Sequence, residues 1–501
     1  MLDKDPNKIG DAIVEAEEKV KDVLTQPVDK YLTISEFRRE LNLPLVVVRR
    51  MISWGMVTAF VAVDGTLRIS GNEVERMRRF MHNPWNRTKV FFRALGPGLV
   101  TGASDDDPSG IATYSTVGAQ FGFALLWMTA WLLPMMAAIQ ETCARIGIIT
   151  NKGLAGVLQK HYKKSVVIGA VFLLIIANVV NISADIGAMA ASVRLFTDLN
   201  FSLIAVIVAL VVVIMEVFIP YQSYIKVLKW LTIALLGYIV TGFIIHPEWS
   251  LIIKDIFVPQ FEFKEIFIFA VIAFFGTTIT PYLFFWQTSE EVEENEIASD
   301  SGKMTPLKIK GRIAERRTDI KTGMFYSQLV AFFIILTTGS VLFKNGIHDI
   351  ASADQAAAAL KPLAGDYAFI LFAFGIIATG LLAIPVLAGS CAYALAEVMN
   401  WNEGLNKPFK SAKSFYSAIA ISVLLGLALN FVGVNPMKAL YYSAYLNGLI
   451  AVPLMIVIMT IGNDKKIMGE ETHPKWVKFF GWMAVIFMAL AVVVSIVLAV
   501  I

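Results

Sequence analysis

Long apolar stretches recur from residue 94 to the end of the sequence, and they restrict the chain to folds that a lipid bilayer can host. A helix needs about 20 mostly apolar residues to cross the hydrocarbon core. About eleven stretches reach this length: 94–120, 123–147, 165–192, 202–219, 226–246, 265–288, 322–343, 366–398, 414–434, 437–461 and 476–501. Since 56% of the residues are hydrophobic and only 17% are charged, one water-soluble core cannot bury the apolar surface. The sequence predicts an all-α multi-pass membrane protein and excludes a water-soluble enzyme.

The loops between the spans differ in their lysine and arginine content. Loops on the cytoplasmic side of a membrane are enriched in both residues. Here loops 152–164, 303–321, 407–413 and 465–475, all on one side of the predicted topology, are richer in lysine than the opposite loops. This pattern predicts insertion in the plasma membrane with a cytoplasmic N-terminus. No cleavable signal is expected, because the first apolar span begins near Leu95 behind a long charged segment.

A polar region precedes the spans. Residues 1–30 are predicted to be a charged segment and residues 31–85 a small cytoplasmic module, ahead of a transmembrane domain over 90–501. Thr33 and Glu36 form a predicted capping box, and helices and a hairpin at Asp64-Gly65 follow. This order resembles the winged helix-turn-helix domains of the excisionase and MerR type. We interpret the module as a docking or regulatory unit, since a fold does not fix a function. The alternative is DNA binding through Arg38, Arg39, Arg49 and Arg50.

The remaining charged and metal-binding residue types follow simple patterns. An acidic block at 290–296 gives way to a basic block at 308–317, which predicts a pair of solvated helices. Glu141 and Arg145 are four residues apart, so they are predicted to neutralise each other on one helix face. The five histidines lie in polar segments or at span ends, and Cys143 and Cys391 have no metal-ligand spacing. The sequence therefore predicts no histidine or cysteine metal site.

Two spans contain residues that interrupt a helix in mid-membrane. The first reads Asp107-Pro108-Ser109-Gly110, and the sixth reads Gly276-Thr277-Thr278-Ile279-Thr280-Pro281-Tyr282. Proline and glycine break or weaken a helix, and irregular backbone at membrane depth is tolerated where it lines a cavity. Because the two spans lie five apart, they predict two inverted five-helix repeats, with a substrate site between the broken helices.

These motifs resemble those of the Nramp family of divalent metal transporters. The family carries Gly-Pro-Gly ahead of an Asp-Pro-Gly-Asn break, and here Gly96-Pro97-Gly98 precedes Asp107-Pro108-Ser109-Gly110. Its sixth span reads Gly-Ala-Thr-x-Met-Pro-His, which 276–282 matches in part, and its Lys-Ile-Met-Gly segment matches Lys466-Ile467-Met468-Gly469. The resemblance covers residues 90–501 and implies a LeuT-like fold. It also implies that the ion is bound by residues at positions 107, 110, 277 and 280.

Three of these four positions depart from the family pattern. Asp107 is retained, whereas Gly110 replaces the family's Asn, Thr277 its Ala and Thr280 its Met. Thioether sulfur favours transition metals, whereas carboxylate, hydroxyl and carbonyl oxygens suit Mg²⁺. The smaller side chains also leave room for a partly hydrated Mg²⁺, an ion that loses its water reluctantly. The departures resemble the magnesium-transporting branch of the family. Asp105 and Asp106 are predicted to attract cations, or, for Asp106, to support Asp107.

The family's proton pathway is also altered. The resemblance aligns its Asp and Glu of the third span with Asn181 and Ala184, and its His of the sixth span with Tyr282. None of these three side chains shuttles protons near neutral pH. If the alignment of the third span is shifted by one residue, Asp185 partly replaces the missing proton-carrying side chain. Otherwise it is expected to form a hydrogen bond with a neighbouring helix.

The sequence therefore predicts a secondary-type transporter of Mg²⁺, and also of Mn²⁺, that is not coupled to protons and has no resident cofactor. Its predicted partners are divalent ions and the bilayer, and nucleic acid is not expected as a partner. The sequence does not determine the oligomeric state, and a monomer is compatible with it. Three alternatives stay open: a proton-coupled Mn²⁺ or Fe²⁺ importer of the ordinary Nramp type, a carrier of organic substrates, and a membrane-tethered transcription regulator. A row of carboxylates disfavours the organic carrier.

Overall fold

The computed structural model describes residues 31–41, 43, 47, 48, 51, 52, 56–62, 67–84, 86, 102, 105–219, 235–298 and 306–500. The chain divides into two units, Met1–Gly96 and Pro97–Ile501. Several predicted features lie outside the described residues. They are the charged segment 1–30, the hairpin turn Asp64-Gly65, the Gly96-Pro97-Gly98 motif, and Arg49 and Arg50.

The N-terminal unit contains a small antiparallel sheet packed with helices. Its elements are β1 (Tyr31–Thr33), α1 (Ile34–Leu41), β2 (Ala59–Val61), β3 (Leu67–Ser70) and α2 (Gly71–His82), with the strands in the order β1-β3-β2. The capping box is confirmed, because Thr33 N–H donates to Glu36 Oε2 at 2.8 Å and Glu36 N–H donates to Thr33 Oγ1 at 3.2 Å. Phe37, Met51 and Ile69 form the fully buried centre of its core. The winged-helix assignment stays a prediction, with Arg38 and Arg39 exposed on α1.

The second unit is helical. Its helices are α3 (Pro108–Phe121), α4 (Trp127–Thr150), α5 (Leu154–His161), α6 (Lys164–Val193), α7 (Phe201–Phe218), α8 (Leu236–Ile244), α9 (Trp249–Phe257), α10 (Glu265–Thr278), α11 (Pro281–Ala298), α12 (Pro306–Val341), α13 (Ala353–Ala357), α14 (Lys361–Ala364), α15 (Ala368–Met399), α16 (Lys413–Leu429), α17 (Pro436–Asn463), α18 (Lys465–Met468) and α19 (Lys475–Val500).

Nine helical segments among the described residues are long and apolar enough to cross a membrane. They correspond to the predicted second, third, fourth and sixth to eleventh spans. The first and fifth spans extend into residues outside the described part, so the count of eleven stays a prediction. Large apolar side chains such as Phe172, Phe218 and Ile496 are exposed on these helices, as expected for a surface that faces lipid.

Both predicted breaks are present, and one lies earlier than expected. The sixth span divides into α10 and α11 at Ile279 and Thr280, immediately before Pro281. In the first span the break precedes Pro108, because Asp107 is extended (φ −66°, ψ 173°) and Pro108 starts α3. Of the predicted interruption at Asp107-Pro108-Ser109-Gly110, only Asp107 lies outside the helix, and Pro108 to Gly110 form its first turn. Proline is tolerated at the first helical position, where its missing N–H costs no hydrogen bond.

The acidic and basic blocks are helical as predicted, but the prediction that they are solvated is wrong for their buried members. They extend α11 and α12, where Glu291 is fully buried and Arg316 is paired with Glu291, Glu294 and Asp319. Burial of these charges is possible because each one has an oppositely charged partner with hydrogen bonds. The predicted pair of Glu141 and Arg145 is confirmed, with 2.9 Å between Oε1 and Nε.

Close helix packing at Gly147 gives a test of this arrangement. A Cβ atom at Gly147 on α4 would collide with the carbonyl oxygen of Thr288 and lie 2.9 Å from Glu291 Cβ on α11. We expect Gly147→Ala to destabilise the protein by about 1–3 kcal/mol, the usual cost of overpacking. Thermal unfolding in detergent measures the effect.

Gly169 on α6 is the matched control, since a Cβ there would have no neighbour within 4 Å. Gly169→Ala should leave stability unchanged or raise it by up to about 1 kcal/mol, because alanine favours helix. Equal unfolding midpoints for the two variants would contradict the observed contact between α4 and α11.

Candidate metal-binding site

The centre of the candidate site is the carboxylate of Asp107, which caps the N-terminus of α3. Asp107 Oδ1 accepts hydrogen bonds from the Ser109 hydroxyl at 2.6 Å and from the Gly110 N–H at 2.7 Å. The first N–H groups of a helix have no partner within the helix, and they carry partial positive charge. The break before Pro108 thus holds a buried carboxylate in one orientation.

The second broken helix contributes hydroxyl groups beside this carboxylate. Thr277 Oγ1, near the end of α10, lies 3.4 Å from Ser109 Oγ. One turn further along α3, the Tyr114 hydroxyl lies 3.1 Å from Thr278 Oγ1. The structure therefore brings together three of the four predicted site residues, Asp107, Gly110 and Thr277.

The fourth predicted residue, Thr280, lies in the break between α10 and α11. It is buried, and its hydroxyl oxygen has no hydrogen-bond partner within the described ranges. Two residues later, Tyr282 at the start of α11 forms a hydrogen bond with the Asp107 side chain. The second break thus places one threonine hydroxyl without a partner, and one tyrosine in contact with the central carboxylate.

The space around Gly110 is limited by the backbone of Asp105. A Cβ atom at Gly110 would lie 3.2 Å from the Asp105 carbonyl oxygen and 3.4 Å from Thr277 Oγ1. The distance to the Asp105 oxygen is short for a carbon atom, whereas the distance to the Thr277 hydroxyl is an ordinary van der Waals contact. The glycine at 110 and the threonine at 277 are therefore compatible neighbours.

Asp105 and Asp106 are not exposed to solvent. Both are fully buried, and the Ser327 hydroxyl on α12 lies 2.7 Å from Asp105 Oδ2 and 3.2 Å from Asp106 Oδ1. A hydroxyl has one hydrogen to donate, so it can satisfy only one of them at a time. Both carboxylates therefore lie inside the protein immediately before Asp107, and the expectation that they draw cations towards Asp107 stays a prediction.

The third-span residues that were aligned with a proton pathway are all buried in α6. Asn181 has two amide atoms without hydrogen-bond partners among the described residues, and Ala184 is apolar. Asp185 also has no hydrogen-bond partner in the part of the chain that is described. The structure thus gives no support to the expectation that Asp185 bonds to a neighbouring helix.

The side chains of Ser109 and Thr277 place hydroxyl oxygens beside the Asp107 carboxylate. No group of three or more His, Cys, Asp or Glu side chains that could hold a metal occurs among the described residues. Hydroxyl oxygens beside a carboxylate suit a hard cation.

A cavity of about 300 Å³ lies further along α3. Its lining includes Thr116, Gln120, Glu265, Asp349 and Lys438. Thr116 is nine residues beyond Asp107, which corresponds to about 14 Å along a helix axis. The cavity is therefore separate from the candidate site but shares α3 and α10 with it.

Two residues of the site have contacts that sequence reasoning did not foresee. Ser109 lies between Asp107 and Thr277, and Tyr282 contacts Asp107 across the two breaks. The contact of Ser109 could have been predicted, because a serine two residues after a capping aspartate is within reach of its carboxylate. The contact of Tyr282 could not, since it depends on how the two broken helices pack.

Comparison with known proteins gives consistent matches. The sequence profile of the family described as "Natural resistance-associated macrophage protein-like" (Nramp) matches residues 98–498. The divalent metal cation transporter MntH of Klebsiella pneumoniae is 25% identical over 419 residues, which cover 81% of this chain and 93% of the relative. The MntH protein of Vibrio campbellii is 26% identical over 408 residues, covering 79% and 90%.

A similar fold is found among solved structures. The manganese transporter of Eremococcus coleocola, crystallised with an aromatic bis-isothiourea compound, superposes with a TM-score of 0.64. The match covers 81% of this chain and 87% of that one at 17% identity. At this identity the likeness concerns the fold, and it agrees with the predicted broken-helix architecture.

Proposed function

The chain belongs to the Nramp family, and we propose that it carries divalent metal cations across a membrane through the site at Asp107. One observation carries the proposal: the buried Asp107 carboxylate is fixed at the start of one broken helix and lies beside a hydroxyl from the other. Buried ionisable groups at such positions in membrane proteins mark ion pathways. The named relatives, which are divalent metal cation transporters, support the same class of cargo.

The mechanism proposed is that of a secondary-type carrier with a site between two repeats. Asp107 would bind the ion or its water shell, and Thr277 and Thr280 would add hydroxyl or carbonyl oxygen. The extended backbone at Asp107 and the residues Ile279 and Thr280 would serve as hinges, since hinge motions use a few residues at helix ends.

We propose Mg²⁺ as the main cargo, with Mn²⁺ also accepted. The support is the donor set, which has hydroxyl-bearing Thr280 where a methionine sulfur would favour a transition metal. The second candidate is a proton-coupled Mn²⁺ or Fe²⁺ importer of the ordinary Nramp type. The similarity to relatives named MntH favours this second candidate.

Coupling to protons distinguishes the two candidates further. Asn181 and Ala184 have no group that titrates near neutral pH, and Tyr282 is engaged with Asp107. These residues support ion movement down the electrochemical gradient without proton transport.

We also propose a plasma membrane location with the N-terminus in the cytoplasm, on the distribution of lysine among the loops.

Asp107→Asn tests the site. Asparagine keeps the oxygen that accepts from Ser109 and Gly110 and caps a helix as well as aspartate, so the fold should persist while the negative charge is lost. We expect uptake of Mg²⁺ and Mn²⁺ into proteoliposomes to fall to the background of empty liposomes.

Glu216→Gln is the matched control for this experiment. Glu216 on α7 is also a buried carboxylate whose oxygens lack partners in the described structure, but it lies outside the proposed site. The Glu216→Gln variant should keep uptake within about two-fold of wild type, because a substitution far from the ion acts independently of the site. Uptake by a folded Asp107→Asn variant at the wild-type rate would rule out the site.

Thr280→Met tests ion selectivity. It replaces a hydroxyl with a soft sulfur and fills space for water, so Mg²⁺ uptake should fall about ten-fold or more relative to Mn²⁺ uptake, the size expected for one contact to a charged group. Mn²⁺ uptake is measured in excess Mg²⁺, with Thr280→Ser as the control that keeps the hydroxyl.

Full conversion should also need Gly110→Asn and Thr277→Ala. Thr277→Ala removes the hydroxyl oxygen that would lie 3.4 Å from the Cβ atom of a side chain at position 110. If Mg²⁺ blocks Mn²⁺ uptake by this triple variant as strongly as it blocks the wild type, these three positions do not determine selectivity.

Proton coupling is tested with a pH-sensitive dye inside the same liposomes. We expect Mg²⁺ uptake to be stimulated by an inside-negative voltage and to produce no acidification, because Asn181, Ala184 and Tyr282 offer no proton carrier. Asp107→Asn liposomes give the baseline. Acidification that rises in proportion to metal uptake would support the proton-coupled candidate instead.

A further inference from the structure

Asp185 on α6 is a buried carboxylate that the proposed mechanism does not use. It has no solvent exposure, and neither Oδ1 nor Oδ2 has a hydrogen-bond partner in the described ranges. An ionised carboxylate in a protein interior is costly unless a partner compensates its charge. Such a residue in a membrane helix is therefore either protonated or compensated by a cation.

The packing of α6 places Asp185 next to the first break. Met189 lies one turn further along α6, and residues four apart share a helix face. A Cβ atom at Gly380 on α15 would lie 2.8 Å from Met189 Cγ and 3.4 Å from Pro108 Cγ. The face of α6 that carries Asp185 thus borders the residue that follows Asp107.

Electrostatic contacts agree with this placement. The negative charge of Asp107 acts on Asp185, and both carboxylates, together with Asp105 and Asp106, act on the hydroxyl of Tyr282. Two ionised carboxylates in a region of low dielectric constant repel each other, and a divalent cation would relieve that repulsion.

Neutral polar groups extend the same region. Asn181 lies one turn before Asp185 on α6, and Asn447 lies on α17, which packs against α6. The amide nitrogen and oxygen of both asparagines are buried without partners among the residues described. Amides and carboxylates that lack protein partners are suited to the water molecules of a hydrated cation, since each water both donates and accepts.

We propose that Asp185 is a second carboxylate of the ion site, which binds the water shell of the cation that Asp107 holds. The site then carries two negative charges, matching a divalent ion. Mg²⁺ usually keeps several of its waters in proteins, so a ligand that acts through water suits it. This inference rests on the proposed function at Asp107.

The test compares four purified proteins in detergent: wild type, Asp185→Asn, Asp107→Asn and Glu216→Gln. Isothermal titration with Mg²⁺ and with Mn²⁺ gives the dissociation constants, and thermal unfolding reports folding. Asp185→Asn should weaken binding of both ions by about ten-fold or more, the effect of losing one charged contact, with Mg²⁺ affected at least as much as Mn²⁺. Glu216→Gln removes an equally buried carboxylate, and it should bind like wild type.

Two further variants keep the test decisive. Asp185→Glu retains the charge, so it should recover most of the lost affinity, which a purely structural role would not predict. If Asp185→Asn does not fold, Asp185→Ser replaces it, because serine is smaller and keeps a group that can bond to water.

The outcomes separate this inference from the proposed function. A wild type that binds neither ion overturns both. Binding that is lost in Asp107→Asn but unchanged in Asp185→Asn overturns only the role of Asp185. Equal weakening in Asp185→Asn and Glu216→Gln also overturns it, because the effect would then follow from removing any buried carboxylate. If Asp185→Asn abolishes dye-detected proton movement in liposomes while ion affinity is unchanged, Asp185 carries protons and the inference is wrong.

Discussion

The hydrogen bonds between the Asp107 carboxylate and the first turn of α3 determine where a charge can reside in this protein. Moving a carboxylate out of water is costly, and the bilayer core offers no water to offset the cost. The start of a helix supplies unpaired N–H groups and partial positive charge at one point. The break before Pro108 therefore creates the donors that stabilise the charge and also orients it. Without that break the carboxylate would have no backbone partner.

Charges are buried in two different ways in the helical unit. At the ends of α11 and α12, carboxylates such as Glu291 are neutralised by arginines such as Arg316. Around the breaks, the carboxylates of Asp105, Asp106, Asp107 and Asp185 have only hydroxyl or backbone donors, or no hydrogen-bond partner in the described residues. Paired charges leave no net charge in the helix contact, although removal of one partner would leave the other uncompensated. Carboxylates without a cation as partner leave negative charge for a ligand, and this difference separates the candidate site from the structural network.

Much of the architecture follows from the sequence, because the bilayer imposes strong rules on length and apolar content. The nine candidate spans among the described residues, the break at Pro281, the capping box of Thr33 and Glu36, and the pair of Glu141 and Arg145 were all predictable from local spacing. The buried network of α11 and α12 was not, since the charge blocks look solvated until each residue's partner on another helix is known. The contact of Tyr282 with Asp107 likewise depends on packing between distant segments. Local sequence patterns therefore identify the residues of the candidate site, and tertiary packing determines which side chains contact them.

The glycines on α10 and α17 have a mechanical consequence. A Cβ at Gly276 would collide with the backbone of Ala444 and Gly448, and a Cβ at Gly448 would lie 2.6 Å from the Ile272 carbonyl oxygen. Backbones this close interlock, as small residues allow in membrane helix pairs, so the two helices resist sliding past each other. Thr277 on α10 and Asn447 on α17 are each adjacent to one of these glycines. The distance between Thr277 and Asn447 should therefore stay constant during transport. The helices α10 and α17 would move as one rigid body relative to Asp107 on α3.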